Sequence, residues 1–206
     1  MAESRNLARH ATQNRLYQWH TRVFMDAIGD LVERAAPRTL LDAGCGEGFV
    51  AAALHARFPG LEITGLDYSA EAVAYARERY GHAARYQVGS VYGLPFERDA
   101  FDLVLCSEVL EHLDRPDDAV GELRRVAREH VLITVPREPV FDALARINLK
   151  LGIGGDPGHV NFWTRGGFER FIARHFPSAW TGTRLVYNLA LADVGRERGG
   201  APVGRD

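Results

Sequence analysis

Thr39-Leu40-Leu41-Asp42-Ala43-Gly44-Cys45-Gly46-Glu47-Gly48-Phe49 is the stretch that decides how this chain is read. An apolar run, a carboxylate and then glycine at every second position predict a buried strand passing into a bare turn. The apolar residues from Phe49 to Leu54 predict the helix that follows. A turn without side chains lets a ligand lie against the backbone and the helix N-terminus. Asp42 narrows the choice of ligand, because a carboxylate two residues before the first glycine repels a pyrophosphate but can hydrogen-bond an ammonium group.

The downstream spacing extends this reading. About twenty residues after the turn, Glu62-Ile63-Thr64-Gly65-Leu66 predicts a second strand ending in Asp67, where an acidic residue of a nucleotide-binding βαβ unit accepts both ribose hydroxyls. A third strand, Ala84 to Val88, leads into Gly89-Ser90-Val91, and a fourth, Phe101 to Cys106, leads into Ser107-Glu108. An ammonium-binding carboxylate with a ribose-binding one favours S-adenosylmethionine over NAD.

With these four segments in order, the chain resembles the class I S-adenosylmethionine-dependent methyltransferases, particularly the small-molecule O-methyltransferases of ubiquinone-biosynthesis type. The matching pieces are Leu41 to Gly48, Gly65-Leu66-Asp67-Tyr68-Ser69, Leu94-Pro95-Phe96, Phe101-Asp102-Leu103-Val104 and Glu108-Val109-Leu110-Glu111-His112-Leu113, spanning roughly residues 38 to 135. The resemblance implies an α/β, Rossmann-like, seven-stranded and mostly parallel sheet with a terminal antiparallel hairpin and helices on both faces. It implies cofactor contacts from Asp42, Ala43, Gly44, Gly46, Asp67, Tyr68, Ser90, Val91 and Ser107, with backbone N–H groups around Gly44 and Gly46 facing the methionine part. Ser90 departs from the pattern, since members often carry an acidic residue there, facing the adenine amino group.

The 206 residues suffice for one well-cored domain and are short for two. With 46% hydrophobic and 25% charged residues the composition is globular, and no apolar run is long enough to span a membrane. A polar start without a signal-peptide core predicts a cytoplasmic protein. A net charge of −2 and a pI near 6.4 give no strong nucleic-acid signal. Cys45 and Cys106 read as buried reduced thiols. Nothing in the chain specifies an oligomeric state.

Three regions are expected. Residues 1–37 form an N-terminal helical lid with an apolar stripe of Leu16, Trp19, Val23, Ile28 and Leu31, ended by Pro37. Residues 38–195 form the methyltransferase domain. Its helices fall near Phe49–Arg57, Ala70–Tyr80, Val109–Leu113 and Pro116–Arg128, its fifth strand is His130–Val135 bounded by Pro136, and Ala179–Leu185 with Tyr187–Val194 forms a closing hairpin. Residues 137–163 are inserted as a cap over the acceptor, with a helical patch at Val140–Leu151 and a glycine run from Gly152 to Gly158. Residues 196–206 read as a disordered tail.

Methyl transfer from a sulfonium needs an aligned acceptor and, for a hydroxyl, a base or a metal to take up or polarise its proton. Glu108, Glu111 and His112 follow the fourth strand at helical spacings of three and four, which predicts one shared helix face, and His159 offers a fourth group. Two carboxylates and one or two imidazoles suit Mg²⁺, Mn²⁺ or Zn²⁺. Glu108-Val109-Leu110-Glu111-His112 with His159-Val160-Asn161-Phe162-Trp163-Thr164-Arg165 also resembles the metal site of small-RNA 2′-O-methyltransferases. Glu111, His112 and His159 are the expected catalytic residues, and all four are the expected metal ligands. The alternative stays open: Glu108 caps or orients its loop and His112 is a metal-free base, while Phe162 and Trp163 anchor the following helix in the core.

The leading expectation is therefore O-methylation of a small-molecule hydroxyl, on a diol, phenol or sugar. N- or C-methylation by the same fold, or a catalytically idle methyltransferase-like binding domain, are the alternatives. An NAD(P)-linked oxidoreductase is disfavoured by Asp42 and the hairpin.

Overall fold

The computed structural model describes residues 15–139 and 158–195, with side chains from residue 18. Helix α1 (Arg15–Ala35) leads into β1 (Thr39–Ala43), α2 (Phe49–Arg57), β2 (Glu62–Asp67), α3 (Ala70–Tyr80), β3 (Arg85–Val88) and β4 (Phe101–Ser107). A 3₁₀ turn (Leu110–His112), α4 (Pro116–Val126) and β5 (Ala127–Glu138) follow. The second described segment holds β6 (Trp163–Thr164), α5 (Arg165–His175), β7 (Ala179–Arg184) and β8 (Tyr187–Asp193).

The main sheet runs in the order β3-β2-β1-β4-β5-β8-β7, with β8 antiparallel to β5 and to β7 and the other neighbours parallel. The expected sheet and hairpin are therefore present, and β6, pairing Arg137 with Trp163, adds an unforeseen eighth strand. Because the strands are covered on both faces, successive apolar residues point to opposite layers. Leu40, Leu103, Leu105 and Leu132 pack under α1, α2 and α3, while Leu41, Val104, Cys106 and Ile133 pack under α4 and α5.

Chain order runs outward from β1 to β3 and then returns to β4 on the other side of β1. The β1/β4 boundary is thus the switch point where α/β sheets leave a crevice at the carboxyl ends of their strands. Asp42 and Ala43 end β1, Asp67 ends β2, and Ser107 ends β4 at this edge.

Two expectations need correction. The buried stripe of α1 is Phe24, Ile28, Leu31 and Val32, whereas Trp19 is 52% exposed. The Phe24 ring, 4.2 Å from that of Tyr187, sets this rotation. Pro136 does not end the fifth strand, which continues to Glu138. Arg137 donates its N–H to the Val186 carbonyl on the β8 side, so the Pro136 nitrogen faces the other edge, where β4 has already stopped pairing at Thr134. A missing donor costs nothing there.

Residues 140–157 of the expected cap, the expected tail at 196–206 and residues 1–14 of the expected lid lie outside the described residues. Cys45 and Cys106 are free and buried. Among the described residues no helix is long and apolar enough to cross a membrane.

Candidate active site

The glycine turn folds back onto β2. Gly44 and Cys45 both donate their N–H groups to the Leu66 carbonyl, at 2.7 and 3.0 Å, and Gly46 donates its N–H to Asp67 Oδ2 at 2.8 Å. The donors of Gly44 and Gly46, expected to face the methionine part, are thus taken up inside the protein, and the role left to Gly44 is steric. It has φ +89°, and a Cβ on it would stand 2.3 Å from Val109 Cγ2. Gly46 has φ +50°, and no described residue lies within 4 Å of such an atom. Gly44→Ala should therefore destabilise the fold by roughly 2–4 kcal/mol, conformational strain and overpacking together, and Gly46→Ala by about 1 kcal/mol from strain alone. Urea melts of the two variants check the order, and equal midpoints would remove the Val109 contact from the account.

Asp42 and Asp67 give the crevice its charge. Asp42 is 1% exposed, and among the described residues its Oδ2 has no hydrogen-bond partner. Burial, with the Asp67 charge as a second cause, pushes its carboxyl up to about 7. Such a group is costly without a ligand and fits one bringing a positive charge. Asp67 holds the Gly46 N–H on Oδ2 and the Ser69 N–H on Oδ1, each at 2.8 Å. Each oxygen keeps a further lone pair for a hydroxyl donor. Tyr68 beside it is 84% exposed, a free aromatic face at the rim. Ala43 and Val91 are buried, and the Ser90 hydroxyl accepts from the Tyr92 N–H at 3.2 Å, closing its own turn.

At the end of β4 the expected helix over Val109–Leu113 is instead the single 3₁₀ turn, and Glu108 precedes it with φ +56°. Three of the four expected ligands come together. One ligand atom each from Glu111, His112 and His159 lies within 4.8 Å of the others. Glu108 stands outside this trio and accepts a hydrogen bond from Thr134 Oγ1 at 3.2 Å, which is itself 3.0 Å from Ser107 Oγ. A 3₁₀ turn of three residues is too short to carry position 108 onto the face of position 111.

Glu111 is 1% exposed, and among the described residues its Oε2 has no partner. Burial pushes its carboxyl up to about 8. Burial and then the Glu111 charge raise Glu108 well above the usual carboxylate range. His112 is exposed, and its Nδ1 lies 3.2 Å from the Gly158 carbonyl. A carbonyl only accepts, so Nδ1 is the donor in this contact, and in the neutral ring Nε2 presents a lone pair. The His112 and His159 rings stand 5.0 Å apart, edge to face.

Beyond the trio, Trp163 is a core anchor as expected, its ring 4.5 Å from that of Phe171, but Phe162 is 64% exposed and anchors nothing. Two side chains at the site escaped sequence reasoning. Thr134 left a trace, as the lone hydroxyl in the apolar run Val131–Val135, and Asn161 lay inside the quoted histidine segment without a role.

Residues 41–135 match the methyltransferase domain family. Malonyl-[acyl-carrier protein] O-methyltransferase of Pectobacterium atrosepticum is 38% identical over 89 residues, 43% of this chain and 34% of that protein. The uncharacterized methyltransferase YcgJ of Bacillus subtilis is 31% identical over 190 residues, 84% of this chain and 70% of the relative. Among solved structures, magnesium protoporphyrin IX methyltransferase from Synechocystis with bound S-adenosylhomocysteine superposes with a TM-score of 0.69 at 18% identity, over 92% of this chain and 94% of the other. The alignment with the malonyl-carrier-protein enzyme spans only about a third of that relative's length.

Proposed function

The chain belongs to the class I S-adenosylmethionine-dependent methyltransferase family, and from that premise we propose that it transfers the methyl group of S-adenosylmethionine to a hydroxyl oxygen of a small acceptor, a diol, phenol or sugar. The observation that carries the choice of oxygen is the convergence of Glu111, His112 and His159 within 4.8 Å at the carboxyl end of β4. Relatives named as O-methyltransferases, including a ubiquinone biosynthesis O-methyltransferase of Nitrosomonas europaea 29% identical over 108 residues, support it.

In this reading the buried, unpartnered Asp42 carboxylate receives the ammonium group of the cofactor, and Asp67 accepts the ribose hydroxyls. Tyr68 covers the adenine edge, with Ala43, Ser90, Val91 and Ser107 along the crevice and Gly44 and Gly46 keeping it clear. The sulfonium supplies an already activated methyl group, so the protein's work is alignment and proton management.

The Glu111–His112–His159 trio fits a divalent cation: one oxygen and two imidazole donors, with an orphaned buried carboxylate oxygen among them. A bound Mg²⁺, Mn²⁺ or Zn²⁺ would lower the proton affinity of the acceptor hydroxyl. Glu108, its carboxyl raised by burial and the Glu111 charge and hydrogen-bonded by Thr134, stands beside the trio as a second carboxyl. The Gly158 carbonyl fixes the His112 tautomer that ligation requires. The same lone pair on an exposed ring also serves a metal-free base, and this is the second reading.

Chelation separates the two. Dialysed against a chelator, the protein should lose transfer to catechols and diols and recover it with one of the three cations, while its affinity for S-adenosylhomocysteine stays within twofold. Full turnover of metal-stripped protein, with His112→Ala inactive, would assign His112 as the base.

A further inference from the structure

We propose that Asn161 is the positioning residue of this site, a clip that seats His159 against Glu111 and His112; the proposal rests on the reading of that trio as the reactive centre. The Asn161 side-chain nitrogen donates to two carbonyls, Leu110 O at 3.0 Å and Leu113 O at 2.6 Å, bridging the 3₁₀ turn from its first residue to the residue after its last. The backbone N–H groups of Val160 and Asn161 both donate to the Glu111 carbonyl, at 2.8 and 3.0 Å. The His112 contact to the Gly158 carbonyl adds a fifth bond between the two segments. His159 lies inside this seam.

Apolar packing anchors the strip only past its C-terminal end, through Trp163 against Phe171. Val160 is 54% and Phe162 64% exposed on either side of Asn161, so the polar seam fixes the register. Only an amide suits the central position. Both partners are carbonyl oxygens, an NH₂ group brings two donors to them, and a carboxylate of the same shape would set an anion against two acceptors. Alanine leaves the two carbonyls without that donor and the strip held by its backbone alone. The residues Asn161 touches belong to the turn that carries Glu111, so its effect reaches the reactive trio through geometry and without contact with an acceptor.

The test compares wild type, Asn161→Ala, Asn161→Asp and Phe162→Ala in the full chain. Three readouts are taken: nuclear Overhauser contacts between the His112 and His159 rings, titration with Co²⁺ followed by its visible absorption, and calorimetry with S-adenosylhomocysteine. Wild type and Phe162→Ala should show the ring contacts. Both Asn161 variants should lose them and bind Co²⁺ at least about tenfold more weakly, the scale on which partners that orient metal ligands act. Their S-adenosylhomocysteine affinity should stay within twofold of wild type. Ring contacts and Co²⁺ affinity unchanged in Asn161→Ala would overturn the proposal, and so would their absence in wild type. Loss of S-adenosylhomocysteine affinity in both Asn161 variants would make Asn161 a general structural residue and overturn it equally. If wild type shows the ring contacts but takes up no Co²⁺, the metal reading fails, and the ring contacts alone decide on Asn161.

Discussion

Glu111→Gln should lower methyl transfer by about a hundredfold or more while leaving S-adenosylhomocysteine affinity within twofold. Glutamine keeps the volume of a side chain that is 1% exposed but removes the charge, so packing survives and cation binding does not. Loss of a direct ligand should cost at least as much as the ten- to hundredfold effects seen when groups behind metal ligands are removed. Thermal stability should hold or rise, because a carboxylate oxygen buried without a partner is itself a cost to the fold. Steady-state transfer to the best acceptor in a phenol, diol and sugar panel, beside a melting curve, checks both halves. Wild-type turnover in this variant would take Glu111 out of the chemistry.

The second large effect is a pH dependence set by Asp42. Its folded-state carboxyl is raised from 3.8 to about 7, so across that window the native state binds more protons than the unfolded chain. Stability must then fall as pH rises from about 4 to 7, by up to about 1.4 kcal/mol per unit and of order 4 kcal/mol in all from this group. Asp67, Cys45, Tyr86 and Cys106 are titratable neighbours of Asp42, with Glu47 beside Cys45. Binding a ligand ammonium requires Asp42 charged and so releases its proton. Affinity for S-adenosylhomocysteine should rise by up to tenfold per unit between about pH 5 and 7 and level off above. Asp42→Asn separates the effects, as it should stabilise the free protein at pH 8, flatten the stability profile and weaken binding. A flat affinity profile in wild type would mean that Asp42 is already charged without ligand.

Much of this site could be read from the chain because its parts are local. Asp42 and Asp67 each terminate an apolar run, and a strand end is visible in one dimension. The terminal hairpin was legible for the same reason, with two β-rich runs separated only by Leu185 and Val186. What escaped depends on neighbours. Whether Phe24 or Trp19 faces the core is settled by Tyr187, far along the chain. Pro136 looked like a strand end because sequence does not reveal that β4 stops pairing before it. Glu108 was placed with Glu111 by helical spacing, yet the chain makes one 3₁₀ turn, and the φ of +56° at Glu108 leaves it on Thr134. His159 stands out only through the resemblance, because the seam that brings it to Glu111 ends on backbone carbonyls, which no side-chain pattern encodes, even though the Asn161 amide and the His112 ring donate to three of them.

In the proposed function the carboxyl ends of β1 and β2 hold S-adenosylmethionine through Asp42 and Asp67. Calorimetric titration of wild type and Asp67→Ala with S-adenosylhomocysteine at pH 8 tests it most directly. Wild type should show one site and the variant an affinity loss of about 1.5–3 kcal/mol, the worth of hydrogen bonds to a charged group; equal affinities in the two proteins would remove Asp67 from the cofactor site.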